Sequence, residues 1–389
     1  MNSGYIPRNY EVFAGLDVDK SSIAATFTNH AGQLKSIKMP YNAENLLNYV
    51  RNHYKEEKII FAYEAGPTGF VLHDKLKEQK YECLVLAAAN IPMAVGQKVK
   101  TNRLDSIKIS ENLRGGQLKS IHVPSQSYRQ LRHLVQMRDT FVAEIKATKC
   151  RIKALLLYEN IAFPESSSTV GWTCLVISQL KNINCSEGAR LKLDHLLSSY
   201  EFFRRSMLQT MGEIRNYCKK EEELERNIGY LRSIPGIGQA TAYHLIARIG
   251  DYRELKRVNQ IGSFVGLVPR EKSTGDDINR GSITSIGDKR LRCKLIQCAW
   301  ICINKDTELK SFYNLIYSRN NKKVAAGKAI VAVARKLTTR IFAVLTQQRN
   351  YVVDNRKQIF SLKKEETMLL QGETRPTAEL VTTSEGSIL

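Results

Sequence analysis

The period of apolar and polar positions changes along the chain, and the changes divide it. In the first 120 or so residues, short apolar runs alternate with amphipathic stretches. Residues 12–18 and 22–28 read as strands, and 34–39 as an alternating partner strand. The turn-forming Asn29-His30-Ala31-Gly32 lies between the last two. In 43–54, Leu46, Leu47 and Val50 share one helical face. A buried strand at 58–63, a helix at 68–79 behind Gly66-Pro67, a strand at 82–87 and a helix at 103–113 follow. From 128 to 159 the spacing lengthens. Leu131, Leu134, Arg138, Phe141, Ile145, Thr148, Ile152 and Leu155 recur at alternating steps of three and four, a heptad seam. Helical patterning resumes at 191 and runs through 231, and the Ser-, Asn- and Gly-rich 163–187 reads as a connection. Residues 125–232 are thus expected to form a long antiparallel helical pair suited to assembly.

The remaining chain gives a small, mainly helical domain over 233–348 and a short element at 351–361. The polar, aperiodic stretch 363–389 is expected to be a disordered tail. Over 10–124 the order is three strands, helix, strand, helix, strand, helix, which is the order of the ribonuclease-H-like fold. The fold class is therefore read as α/β plus α.

Composition adds one strong fact. Of 389 residues, 59 are Lys or Arg and 38 are Asp or Glu, a formal net charge of +21. The 43% hydrophobic and 25% charged fractions are those of a folded protein. The excess therefore points to a polyanionic partner. An anionic membrane is disfavoured: there is no apolar run of about 18 residues, no signal-peptide core near the start and no lipidation pattern. Nucleic acid and a cytoplasmic, nucleoid-associated location are expected. The eight cysteines form no C-x-x-C. They read as core thiols in a reducing compartment rather than as zinc ligands.

Two predicted strands end in acids: Val12-Phe13-Ala14-Gly15-Leu16-Asp17 and Ile59-Ile60-Phe61-Ala62-Tyr63-Glu64. Carboxylates on neighbouring central strands repel unless a cation lies between them. In Lys100-Thr101-Asn102-Arg103-Leu104-Asp105, positions 102 and 105 share a helical face. Were that helix to pack beside the strand ends, Asp17, Glu64, Asn102 and Asp105 would converge as oxygen ligands suited to Mg²⁺ or Mn²⁺. Taken singly, each acid is as well read as a strand end or helix cap.

These residues resemble a known family. Gly15-Leu16-Asp17-Val18-Asp19-Lys20, Tyr63-Glu64-Ala65-Gly66-Pro67-Thr68-Gly69 and Lys100-Thr101-Asn102-Arg103-Leu104-Asp105-Ser106 resemble the three acidic motifs of the IS-one-ten insertion-sequence transposases, relatives of the Piv invertase. Ile234-Pro235-Gly236-Ile237-Gly238, Gly266-Leu267-Val268-Pro269 and Gly287-Asp288-Lys289-Arg290-Leu291-Arg292 resemble their C-terminal motifs. The likeness spans 12–345. It implies a RuvC-like domain whose Asp-Glu-Asp-Asp metal set falls on Asp17, Glu64, Asn102 and Asp105. Asn102 departs from the third acid, either as a variant with weaker or single-metal binding or as a change that slows catalysis. Asp19 is a weaker substitute.

The same resemblance implies a nucleophilic serine in Arg270-Glu271-Lys272-Ser273-Thr274-Gly275: Ser273, with Thr274 second and Ser282 and Ser285 weaker. Arg270, Lys272 and Arg280 are placed to stabilise phosphate charge. The 231–238 stretch followed by an apolar helix reads as a helix-hairpin-helix, in which Gly236 and Gly238 let backbone N–H groups approach phosphate; a tight turn with a packing role is the alternative. Lys289, Arg290, Arg292 and Lys294, and the cations of 322–336, are expected to touch phosphates. The family further implies a DNA recombinase forming a covalent serine–DNA intermediate, a homo-oligomer (dimer or tetramer) with a composite site, and an element-encoded non-coding guide RNA. Two alternatives stand beside this: a metal-dependent structure-specific nuclease of the junction-resolvase kind, and a nucleic-acid-binding protein impaired by Asn102.

Overall fold

The computed structural model describes residues 5–88, 91–92, 101–164, 171–271, 280–284 and 286–352. They fall into two units, Met1–Pro124 and Ser125–Leu389.

In the first unit β1 (Val12–Val18), β2 (Ser22–Asn29), β3 (Leu34–Pro40), β4 (Ile59–Glu64) and β5 (Glu82–Leu86) form one sheet in the order β3-β2-β1-β4-β5. β1, β2 and β3 are antiparallel neighbours, whereas β4 runs parallel to β1 and to β5. The β2–β3 turn forms as its sequence predicts: Gly32 takes φ +80° and donates to the Asn29 carbonyl at 3.0 Å. Helices α1 (Ala43–His53), α2 (Val71–Glu78) and α3 (Asn102–Arg114) complete the unit.

The central strands are buried on both faces, which is why they read as continuous apolar runs. Val12, Ala14 and Leu16 of β1 share a core with Phe61 and Tyr63 of β4, Leu46 and Leu47 of α1, and Leu72 and Leu76 of α2. The opposite face carries Phe13, Ile60, Ala62 and Leu86 against Ile109 and Leu113 of α3. The unit is thus a sheet between helices, a mixed α/β domain.

In the second unit α4 (Gln126–Tyr158) and α6 (Glu187–Lys220) form the expected pair. Their antiparallel sense follows from their two cores. Tyr128, Leu131 and Val135 meet Ile214 and Cys218 at one end. Ile152, Leu155 and Leu156 meet Ala189, Leu193 and Leu197 at the other. Between these ends the seam loosens: Met137 and Val142 are exposed, and Phe202 is 57% exposed. The expected connection differs from its reading. It contains α5 (Cys174–Asn182), capped by Thr173 and held by Val176 and Leu180 one turn apart. The apolar run Leu175-Val176-Ile177 is too short to declare a helical period in the sequence. The second long helix also breaks at Glu221, so that α7 (Glu222–Arg232) is separate.

α8 (Gln239–Ile249), α9 (Gln260–Phe264), the short hairpin β6 (Pro269–Glu271) and β7 (Arg280–Ile283), α10 (Lys289–Cys302), α11 (Thr307–Ser318) and α12 (Lys322–Gln347) follow. One apolar core runs from Tyr128 of α4 through α7, α8 and α10 to Leu345 of α12. The cysteines only partly match their reading: Cys83, Cys218, Cys298 and Cys302 are buried, but Cys150, Cys174 and Cys293 are exposed. The short element expected at 351–361 is described only at its first two residues, and the expected tail lies outside the described residues. Among the described residues no helix is long and apolar enough to cross a membrane.

Candidate active site and nucleic-acid surface

Position in the first unit is set by a glycine. Gly15 lies in the middle of β1, where α3 crosses so closely that a Cβ would stand 2.3 Å from the Ser106 carbonyl oxygen and 2.3 Å from the Ser110 amide nitrogen. Hydroxyl pairs fix the register on either side. Thr26 Oγ1 lies 2.8 Å from Ser106 Oγ, and Thr28 is bonded to Ser110. Thr26 is paired with Gly15 and Thr28 with Phe13. Moving from Ser110 to Ser106 along α3 therefore advances two residues toward the C-terminal end of β1. Four helical residues rise about 6 Å and two strand residues about 6.6 Å, so the steps match. One further step along each element puts Asn102 level with Asp17.

The face is set by alternation. Phe13, Gly15 and Asp17 share the α3 side of β1; Ile60, Ala62 and Glu64 share the same side of β4. The parallel register pairs Leu16 with Tyr63, so Asp17 and Glu64 are the next residues on adjacent strands. On α3, Asp105 heads the stripe that continues through the buried Ile109 and Leu113. All four expected site residues thus occupy one face at one end of the sheet, beside the N-terminus of α3. Thr101 caps that terminus through its side-chain oxygen, which accepts from the Leu104 amide at 3.2 Å. The positive end of the helix dipole favours anions there. Asp19 turns away from this role: it takes the turn after β1, where its carboxylate accepts from the Lys20 amide at 2.7 Å.

Glu64 and Asn102 are exposed, and Asp17 and Asp105 are half-buried. Three carboxylates and one amide are all oxygen donors, which fits a hard divalent cation in kind. They are not gathered into one contact set: among the described residues no three His, Cys, Asp or Glu side chains cluster closely enough to hold a metal. The sequence reading had missed Gly15 and the paired hydroxyls. Their signals were a glycine inside a buried strand, serines one turn apart on α3, and alternate threonines on β2.

In the second unit the C-terminal motifs interlock. Gly266 has φ +74° and Gly287 φ +107°, and each backbone presses on the other: a Cβ on Gly287 would stand 2.7 Å from the Gly266 nitrogen. Asp288 caps α10 by accepting from the Leu291 amide at 3.0 Å, and its carboxylate also takes a bond from Arg248. Burial alone would raise the Asp288 pKa, but the Leu291 amide and the Arg248 guanidinium outweigh it and hold the carboxyl below its usual range. This knot fixes the base of the β6–β7 hairpin. The connecting residues 272–279 carry Lys272, Ser273 and Thr274, which lie outside the described residues, as does Ser285. Ser282 is exposed on β7, and Arg270 is exposed on β6.

Arg292 does not fit the expected phosphate role. It is 9% exposed, and its guanidinium donates to the Val265 and Thr284 carbonyls at 3.2 Å each, with Gly266 and Ile286 carbonyls at 3.4 and 3.5 Å. It ties the motifs together because its position falls on the inner side of α10, beside buried Leu291 and Leu295. Lys289 and Arg290, on the outer side, are exposed. Lys294 is half-buried, and burial lowers its ammonium pKa.

The turn expected to grip phosphate also serves packing. Gly236 has φ +88°, and a Cβ there would stand 2.8 Å from the Cys298 carbonyl oxygen and 2.9 Å from Cys302 Sγ. Its free side is thus spent against α10. Gly238 differs: it caps α8, is exposed, and has nothing within 4 Å of a built Cβ. On α12 Lys322, Lys323, Lys328 and Arg335 are exposed, while Lys336 pairs with Glu308 at 2.7 Å.

A family model described as "Transposase IS116/IS110/IS902 family" matches residues 229–314, and a second, described as "Transposase" and of the DEDD type of IS110, matches 14–160. A Sinorhizobium fredii protein named for a transposase, y4qE, is 26% identical over 87% of this chain and 90% of its own. The transposase for insertion sequence element IS1111A of Coxiella burnetii is 27% identical over 67% of this chain and 71% of its own. The pilin gene-inverting protein of Moraxella bovis is 32% identical over 33% of this chain and 40% of its own.

Proposed function

Because the chain belongs to the IS110 transposase family and is a DNA transposase, we propose that it cuts and rejoins DNA through a RuvC-like acidic site acting together with a serine on the β6–β7 hairpin. The observation that carries this reading is the seating of α3 on Gly15, which lines Asn102 and Asp105 with the strand ends of Asp17 and Glu64. The strand order β3-β2-β1-β4-β5 supports the ribonuclease-H-like assignment.

Asp17, Glu64 and Asp105 would hold Mg²⁺ or Mn²⁺ with the Asn102 amide oxygen as a neutral fourth ligand. A bound divalent ion supplies charge stabilisation at the phosphodiester in flight. With Asn102 the set carries one negative charge fewer than an all-acid set, which weakens affinity for the ion.

Ser273 acts as nucleophile. Its Oγ forms an ester bond to phosphorus while the bond from phosphorus to one sugar oxygen breaks. The hydroxyl proton leaves to solvent, and the departing sugar oxygen takes one up. Attack of another sugar oxygen on the serine ester reverses the step and rejoins DNA without an external energy source. Arg270 and Lys272 stabilise the developing phosphate charge, and exposed Lys289 and Arg290 hold backbone phosphates. A homo-oligomer, dimer or tetramer, allows the acids of one subunit to serve the serine of another. The family resemblance supports an element-encoded guide RNA, in which case base pairing reads sequence and the protein reads shape and backbone.

The test is a covalent trap. The full chain with a nicked DNA substrate and Mg²⁺ should yield a protein–DNA adduct that survives denaturation. Ser273→Ala should abolish it, Thr274→Ala should retain it, and Asn102→Asp should increase its yield. Mg²⁺-dependent cleavage without any adduct would favour the structure-specific nuclease instead. No cleavage by the chain as it stands, with cleavage in Asn102→Asp, would favour the impaired binding protein.

A further inference from the structure

Midway along α6 lies a feature that the recombination chemistry does not use. Between α5 and α6 lies a cavity of about 520 Å³. That is within the range of about 300–1,000 Å³ that small-ligand sites occupy. Each helix lends it an apolar and a cationic side chain one turn apart: Ile177 and Lys181 on α5, and Leu208 and Arg204 on α6, with Arg205 beside them. Glu201 is the one carboxylate among the residues lining it, and it pairs with Lys181 at 2.8 Å. Arg204 and Arg205 are exposed and have no carboxylate partner among the described residues. Leu208 is 58% exposed, an apolar surface left to solvent beside two free guanidinium groups.

Of the lining residues Tyr200 is aromatic, and behind it lie a second ring and a cation. Tyr200, 3% exposed, packs against Trp172 with ring centroids 5.2 Å apart. Lys149 Nζ lies 5.2 Å from the Trp172 ring centre and 5.6 Å from that of Tyr200. Its pKa is lowered, first by burial and then by the like charges of Lys153 and Arg204. The lining itself sets three cations against the single carboxylate of Glu201, so an anion entering the cavity relieves them. Apolar side chains set beside a pair of guanidinium groups, in a space that holds one nucleotide, match a base and its phosphate. A base inside a duplex cannot reach such a site, because it is stacked and its phosphates lie outside.

We propose that this cavity binds an unpaired nucleotide of a single-stranded nucleic acid, the base against Ile177 and Leu208 and the phosphate on Arg204 and Arg205. The site stands on the second unit alone. It does not depend on the acids or on Ser273.

The chain has two tryptophans, so Trp300→Phe leaves Trp172 as the reporter, one ring removed from the cavity. The probes are 5′-phosphorylated octamers of thymidylate and of uridylate, and a blunt DNA duplex of the same length. Single strands should quench Trp172 fluorescence and bind at least tenfold more tightly than the duplex. Arg204→Gln with Arg205→Gln should weaken binding about tenfold. Losing the one phosphate contact should also flatten the slope of log affinity against log salt by about 0.7. The Lys/Lys pair should restore the slope. Tighter binding of uridylate assigns the ligand to RNA, and of thymidylate to DNA; both support the site. Equal binding of duplex, absence of quenching, or an unchanged salt slope in the Gln/Gln variant overturns it.

Discussion

Replacing Gly15 by Ala should damage the acidic site from a position that touches neither metal nor DNA. The added methyl would stand 2.3 Å from two backbone atoms of α3 and 2.8 Å from Ser110 Cβ, where ordinary contact begins at 3.4 Å. Backbone cannot rotate away as a side chain can, so α3 must withdraw by about 1 Å in a close-packed interior. That movement stretches the Thr26–Ser106 and Thr28–Ser110 bonds. Overpacking of this kind costs about 1–3 kcal/mol, and each weakened buried hydroxyl bond about 1 kcal/mol more. The alanine also restricts the unfolded chain, a gain of about 0.4–1 kcal/mol that offsets only part of the loss. A net destabilisation of about 2–4 kcal/mol follows, roughly 10 °C on the melting of a unit this size.

The functional effect should be larger than the thermal one. Withdrawal of α3 carries Asn102 and Asp105 away from Asp17 and Glu64, and a displacement of about 1 Å can cost on the order of 100-fold in rate. The assay is scanning calorimetry of the full chain beside Mg²⁺-dependent strand cleavage well below the transition. Leu46→Ala is the control. Leu46 is fully buried on the other face of the sheet, and its truncation costs about 2–5 kcal/mol without moving α3. Gly15→Ala should lose cleavage and Leu46→Ala should keep it at similar thermal cost. Parent-like stability in Gly15→Ala, or equal loss of cleavage in both variants, would refute the reasoning.

Two further outcomes concern the second unit. Arg292→Met should cost about 3 kcal/mol, since it strips a donor from buried carbonyls, whereas Lys289→Gln with Arg290→Gln should leave melting unchanged and weaken DNA binding; calorimetry and filter binding separate them. Asp288 has its pKa lowered in the fold. Its stabilisation is therefore complete above the ordinary carboxylate pKa of about 4 and is lost as pH falls through the lowered native value. Asp288→Asn should melt earlier than the parent at pH 7 and show a shallower loss between pH 4 and 2; an unchanged acid profile would count against the ion pair with Arg248.

Much of the fold was legible because burial on both faces writes itself into the chain. The apolar runs of β1 and β4, the turn at Gly32 and the heptad of α4 are all local patterns, and each appears where its pattern predicts. α5 was not legible, because its apolar run Leu175-Val176-Ile177 is too short to show a helical period, and only Leu180 repeats it one turn on. The acids were visible as strand ends, yet nothing local says which face of a strand they take.

By itself the sequence determined the order of elements, the types of residue at the site and a charge of +21 that favours a polyanionic partner. Only the tertiary structure decided which of those charges serve which purpose. Lys289, Arg290 and Arg292 look alike in one basic run, but helical geometry turns the third inward, where it binds carbonyls. Gly236 and Gly238 look alike in one motif, but only Gly236 is pressed against α10. The reason is the same in each case. A side chain's environment depends on which elements pack against it, and that partner is distant in sequence.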